Sequence, residues 1–238
     1  MANSCMTADF GIVFDCDGVL LDSMGMWHAL DDRLAARVGA VFTEADRDFV
    51  TSGTLLESGR YIHERFGVGD TAQDVVDIIM HDMLEFYTNE VQPKPGVMAL
   101  VQELSERGIP MGVASSTPSP LLRTGLATAG LASYMRAIVS VDDLGTSKRE
   151  PLVYDTVRAA LGTVRERTWG IEDSLYAIRT LASAGYRTLA VYDSEIAGDA
   201  ASLAGLADCC IMSFEDFTAA SLIGLMSDAP ASEVSPKP

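Results

Sequence analysis

Two aspartates separated by one cysteine, Asp15 and Asp17, end the apolar run Gly11-Ile12-Val13-Phe14 and are followed at once by Gly18. Side chains alternate along an extended chain, so carboxylates two residues apart project to the same side. Two close carboxylates need a cation, or one of them must stay protonated. An Asx-type turn closed by Asp17-Gly18 is the plainer use of an isolated Asp-x-Asp-Gly. This pair is not isolated. A hydroxyl, Ser115, follows Gly112-Val113-Ala114; an ammonium, Lys148, follows a third apolar run by a short loop; a second acidic pair, Glu172-Asp173, follows Thr168-Trp169-Gly170-Ile171. Taken singly, Ser115 could cap a helix, Lys148 could be a solvated loop residue, and Glu172-Asp173 could cap a helix starting near Ser174. Together they supply nucleophile candidates, an ammonium and a carboxylate cluster suited to a cation.

The elements that must position these groups are legible as period and length. Short apolar, β-branched runs recur at Phe10–Asp15, Pro110–Ser115, Arg136–Ser140, Arg167–Ile171, Arg187–Tyr192 and Asp208–Met212. Between most of them lie stretches with apolar residues at three- and four-residue spacing, such as Val97–Arg107, Leu152–Leu161 and Leu175–Ala184. Gly108 and Gly185 stand where two of these helices stop. Strands alternating with helices predict an α/β fold: a Rossmann-like parallel sheet with helices on both faces. All the chemistry-bearing residues then fall at carboxyl ends of strands, along one edge of the sheet, where open α/β sheets bind ligands.

One interval breaks the rhythm. From Met24 to Gln92 only amphipathic helical patterns are found, among them Trp27–Val38 and Ala72–Tyr87, until Pro93-Lys94-Pro95-Gly96 reads as a hinge. The expected organisation is a core of residues 1–23 and 93–228 and a helical cap of residues 24–92 inserted after the first strand. Residues 229–238, rich in Pro, Ser and Ala, are expected to be a disordered tail.

Composition narrows the partners. Across 238 residues, 17 basic against 34 acidic side chains give a net charge of −17. Such a field repels nucleic acid and anionic membranes, so neither is expected as a partner, and an anionic substrate would need local cations or a metal. The four cysteines, Cys5, Cys16, Cys209 and Cys210, match no zinc spacing, and reduced thiols are expected. The start, Met1-Ala2-Asn3-Ser4-Cys5, lacks the basic residues of a secretory signal, and no run reaches the ~18 apolar residues of a membrane span. A cytoplasmic monomer is the expectation.

The order and spacing of these groups resemble the haloacid dehalogenase-like hydrolase superfamily over nearly the whole chain. "DCDGVLLDS" is similar to its first motif, Ser115 to the hydroxyl of the second, Lys148 to the cation of the third, and "IEDS" at 171–174 to the acidic pair of the fourth. The helical insert resembles the cap of the subgroup that includes beta-phosphoglucomutase and phosphoglycolate phosphatase. The resemblance implies a Mg²⁺-dependent phosphatase acting on a small phosphorylated, sugar-phosphate-like metabolite through an aspartyl-phosphate. It implies Mg²⁺ held by Asp15, the main-chain carbonyl of Asp17, and Asp173, with Glu172 in support. Asp15 would be the nucleophile and Asp17 the general acid and base. Ser115, Ser116 and Lys148 would hold the phosphate. A second aspartate acting as an acid suits an alkoxide leaving group, which needs a proton, and not a halide, which does not.

Two departures bear on the choice between phosphatase and mutase. Trp27, next to His28, stands where the mutase has a histidine, and Leu55 falls near its cap arginine. Loss of both favours hydrolysis over the alternative, a sugar phosphomutase; a catalytically silent binding protein of the same fold is the third reading. The third motif also reads Lys148-Arg149-Glu150-Pro151-Leu152, with Arg149 in place of a common proline and Leu152 in place of an aspartate. Met24, Met26 and Trp27 are expected mainly to pack cap on core, with a wall of the substrate pocket as the other use. His63 and His81 lie at no ligand spacing to each other, and Cys16 is expected to face the core.

Overall fold

A computed structural model of the chain describes residues 10–192 and 200–227; Cys5 and the expected tail at 229–238 lie outside them. Six parallel strands form one sheet: β1 (Gly11–Phe14), β2 (Met111–Ser115), β3 (Met135–Ser140), β4 (Thr168–Glu172), β5 (Arg187–Val191) and β6 (Cys209–Ile211). Their spatial order is β3-β2-β1-β4-β5-β6. All six apolar runs are therefore strands, with β4 beginning and ending one residue later than expected, so that Glu172 lies inside the sheet. Strand order reverses at β1, which pairs with β2 on one side and β4 on the other; Phe14 is level with Val113 and Ile171. That reversal opens the crevice at the carboxyl end of β1.

The helices follow in chain order. Four come between β1 and β2 with no strand among them: α1 (Met24–Ala36), α2 (Glu44–Ser52), α3 (Leu55–Phe66) and α4 (Ala72–Asn89). Then come α5 (Val97–Glu106), α6 (Ser119–Thr128), α7 (Val141–Leu144), α8 (Leu152–Leu161), α9 (Leu175–Ser183), α10 (Ala200–Leu206) and α11 (Ala219–Ser227). Threonines at the starts of α2, α3 and α4 each close a capping box, with Asp46, Glu57 and Asp74 as the reciprocal partners. The helical insert is thus written locally, by threonine and an acid three residues on.

Alternation along β1 explains the layers. Ile12 and Phe14 join the cluster that includes Val97, Leu100, Val101 and Leu104 of α5. Val13 points the other way, into the cluster of Val153, Tyr154, Val157 and Leu161 of α8. Every β1 side chain is buried, which only a sheet covered on both faces allows. Helix α8 sits close: a Cβ on Gly112 of β2 would fall 2.5 Å from Val157 Cγ1.

The two chain segments joining insert to sheet run side by side. Asp22 N–H donates to the Gln92 carbonyl at 2.9 Å, Lys94 N–H donates to the Leu20 carbonyl at 2.9 Å, and Leu21 bridges to Pro93. The insert therefore rests on a short two-stranded stem at the edge where β1 ends.

Candidate active site

Asp15 follows the last residue of β1, and its main-chain N–H still donates to Ile171 of β4 at 2.9 Å. The sheet thus extends its hydrogen bonding one step to fix this carboxylate beside the end of β4. Glu172 is the last residue of β4 and Asp173 the next; one ligand atom from each of Asp15, Glu172 and Asp173 lies within 4.8 Å of the others. All three are buried. Lys148, 2% exposed, brings its Nζ to 2.6 Å from Asp15 Oδ1 and 2.8 Å from Glu172 Oε1. Tyr154 O–H donates to the same Glu172 oxygen at 2.8 Å. The other, Oε2, is buried and has no hydrogen-bond partner.

Three buried carboxylates against one buried ammonium leave an excess of negative charge, which the charge of Lys94 relieves in part at Asp173. Burial first, and then the neighbouring Asp15 charge, push Glu172 and Asp173 well above the ordinary carboxylate range. Burial alone would push the Lys148 ammonium down; Asp15 and Glu172 more than offset it and hold it above its usual value. An unsatisfied carboxylate oxygen beside a clustered acidic set suits a hard divalent cation with oxygen ligands, and Mg²⁺ fits. The donor set has the right chemistry for it.

Asp17 lies two residues on, just before a turn that Gly18 makes with φ of 79°. Its carboxylate accepts three hydrogen bonds: from Ser23 Oγ at 2.6 Å, from Thr117 Oγ1 at 2.6 Å, and from the Tyr87 hydroxyl. Trp27 Nε1–H in turn donates to the Tyr87 oxygen at 3.1 Å. Burial pushes the Asp17 carboxyl up, the hydrogen bonds pull it down, and Asp15 adds to the upward push. Cys16, between the two aspartates, is fully buried among core residues.

Ser115 and Ser116 continue β2 into the same crevice. Ser115 Oγ does not cap a helix; it accepts Thr117 N–H at 3.0 Å, a local turn that aims the loop at Asp17. Ser116 Oγ is buried without a partner. The acidic pair does not cap α9 either, since Ser174 is the residue at that helix start. Lys148 is not a solvated loop residue. The three plainer uses do not hold.

A cavity of about 420 Å³ joins these groups to the helical insert. Asp15, Asp17, Ser115, Lys148 and Asp173 line its floor; Met24, Trp27, Leu55, Ile62 and Ile79 line the apolar part of its upper wall. Met24, itself buried, and Trp27 line the pocket, while Trp27 and Met26 pack against the core and Met26 stays out of the pocket lining. His63 Nδ1–H donates to the Val68 carbonyl, and His81 pairs with Asp82 on the surface. Neither enters the cavity lining.

Several partners in this site carry no sequence signal of their own. Tyr87 lies 70 residues from Asp17 and Tyr154 18 residues before Glu172. Thr117 carries none either: it lies past the end of β2, two residues beyond Ser115.

A family model described as haloacid dehalogenase-like hydrolase matches residues 12–191. Hexitol phosphatase B of Escherichia coli (strain K12) is 26% identical over 215 residues, covering 89% of this chain and 96% of its own. Phosphoglycolate phosphatase of Rhodobacter capsulatus is 28% identical over 186 residues, covering 73% and 80%. Among solved structures, CbbY from Rhodobacter sphaeroides in complex with phosphate superposes with a TM-score of 0.74 at 23% identity, over 90% of this chain and 98% of that one. Beta-phosphoglucomutase from Clostridium difficile does so with a TM-score of 0.74 at 17% identity, over 91% and 96%. These two establish a shared fold. Among the described residues no helix is long and apolar enough to cross a membrane. With the family model covering the sheet from β1 to β5 and the helical insert between, the chain belongs to the haloacid dehalogenase-like hydrolases.

Proposed function

We propose that this hydrolase is a Mg²⁺-dependent phosphatase that cleaves a small phosphorylated metabolite, sugar-phosphate-like in size, through an aspartyl-phosphate on Asp15. The observation that carries it is the buried set Asp15, Glu172 and Asp173 within 4.8 Å of one another, next to Lys148 and open to a cavity. The phosphatase names of the relatives support the same reading. Residues 24–92 act as the cap over this floor.

In this mechanism Asp15, Asp173 and the main-chain carbonyl of Asp17 would hold the magnesium, with Glu172 in support. When bound, the ion neutralises charge on the transferring phosphoryl group. Lys148, Ser115 and Ser116 bind the phosphate oxygens, and the unpartnered Ser116 hydroxyl has a donor to give. An Asp15 carboxylate oxygen attacks phosphorus, and the ester oxygen leaves. Asp17 gives that oxygen a proton and later takes one from the water that hydrolyses the aspartyl-phosphate. Help of this kind is worth roughly 10²–10⁴-fold. The trio Ser23, Thr117 and Tyr87 sets where the Asp17 carboxyl points.

The test is phosphate release from an aryl phosphate with and without Mg²⁺, in wild type and Asp15→Asn. Magnesium-dependent release by wild type, lost by several orders of magnitude in the variant, supports the reading. Equal rates for the two proteins would remove Asp15 as nucleophile. The mutase reading is separated by product: an isomerised phosphosugar in place of inorganic phosphate.

A further inference from the structure

The wall of the cavity facing Lys148 is acidic. Its cap side carries four carboxylates, Asp31, Asp32, Glu44 and Asp48, against one guanidinium, Arg47. That guanidinium is occupied: Nη1 lies 2.9 Å from Asp31 Oδ2 and Nη2 lies 2.7 Å from Asp32 Oδ1. The contrast with the floor is sharp. There, Lys148 and the Ser115 and Ser116 hydroxyls are arranged as donors, and the clustered carboxylates have a cation to hold. On the cap side Glu44 and Asp48 are exposed, and the rest of the wall is mainly apolar, with Trp27, Leu55, Ile62 and Ile79 beside His28 and Ser58.

A phosphate ester entering this space puts its phosphate on the floor and its leaving group against the cap. A carboxylate or second phosphate on that leaving group would meet the carboxylates of the wall, with Arg47 already shared between two of them. Separating Arg47 from Asp31 to receive it would strand a mostly buried carboxylate. Hydroxyl or ammonium donors would instead meet acceptors, and a carbon face would meet Trp27 and the aliphatic side chains. Specificity of this kind comes as much from repelling the wrong ligand as from attracting the right one.

We infer that the substrate is a monophosphate ester whose leaving group carries no negative charge and presents hydrogen-bond donors, hydroxyl or ammonium, on a carbon skeleton. The inference rests on the phosphatase reading and deepens it. Carboxylated monophosphates such as phosphoglycolate, and bisphosphates, are disfavoured by the cap wall itself, although several relatives are named for phosphoglycolate.

The experiment compares kcat/KM, with saturating Mg²⁺ and the full chain, for an aryl phosphate, glycerol phosphate, phosphoethanolamine, phosphoglycerate, phosphoglycolate and a hexose bisphosphate. The expected result is release from the aryl ester and a preference of at least about ten-fold for glycerol phosphate or phosphoethanolamine over the carboxylated and bisphosphorylated esters. The better of the first two names the donor. Glu44→Gln and Asp48→Asn, both exposed, should narrow that ratio by raising kcat/KM for phosphoglycerate, and added salt should narrow it in wild type. Turnover of the aryl ester together with equal or faster turnover of phosphoglycolate or phosphoglycerate would overturn the inference and leave the phosphatase reading standing. No magnesium-dependent release from any of the esters would overturn the phosphatase reading, and the inference with it.

Discussion

At the scale of single residues, the site works by placing charge where burial alone would forbid it. Asp17 is the case in point, since it must carry a proton to an alkoxide. Asp17→Asn should slow release from an alkyl phosphate by roughly 10²–10⁴-fold. An aryl ester should be much less affected, because its leaving group departs with little need of a proton. Comparing the two substrates on one variant checks this, and equal losses would contradict an acid role. Asp31 offers a second test. Burial pushes its carboxyl up to about 6, with Arg47 pulling the other way. A folded pKa above the unfolded one means the group stabilises the fold below the unfolded pKa and that this is lost as pH rises through the folded value. Between about pH 5 and about pH 7 wild type should therefore lose roughly 1 kcal/mol that Asp31→Asn does not. Urea denaturation of both proteins at the two pH values measures it. Residues of this scale were unevenly legible in the sequence. Asp15, Asp17, Lys148 and Glu172-Asp173 announce themselves as charge at strand ends, whereas Ser23, Tyr87 and Thr117 are ordinary residues until the fold brings them to Asp17.

At the scale of elements, the strands were the most legible feature, since a sheet buried on both faces demands unbroken apolar runs. The runs at positions 10–15 and 187–192 end within one residue of β1 and β5. Helices α2 and α3 were less so: α2 is nine residues with mostly polar side chains, and what marks it is the capping box at Thr43 and Asp46. Close approach of helix to strand gives a direct prediction. Gly112→Ala would drive a methyl against Val157 at 2.5 Å, and overpacking of this kind costs about 1–3 kcal/mol. Equilibrium unfolding reads that loss. Arg149 makes the other. Standing where the motif often has proline, it donates through Nε to Ser52 Oγ at 3.3 Å and through Nη2 to the Asp48 carbonyl at 3.5 Å, over the Tyr176 ring at 5.0 Å. Lys148 N–H donates to the Ser52 carbonyl beside it, and Leu55 N–H to Asp142 Oδ1. The third-motif loop therefore fastens the end of α2 to the sheet. Removing exposed contacts of this size costs about 1 kcal/mol. Arg149→Ala should accordingly raise KM by roughly 3- to 5-fold with little change in kcat, and steady-state kinetics would show it.

At the scale of the whole molecule, charge is the unifying quantity. A chain of net charge −17 places a buried cluster of carboxylates at the mouth of its sheet, with the buried Lys148 paired to two of them. If a divalent cation completes that cluster, the ion should stabilise the fold as well as the reaction. A ligand bound only by the native state at ~100 times its dissociation constant adds about 2.7 kcal/mol. For a chain of this length that corresponds to a rise of several degrees in melting temperature, about 2–4 °C per kcal/mol. The decisive measurement is thermal unfolding of wild type and Asp173→Asn across a Mg²⁺ titration at constant ionic strength. A saturable rise in wild type and its loss in the variant are expected; the same rise in both, or none in either, would rule out a magnesium site on Asp173.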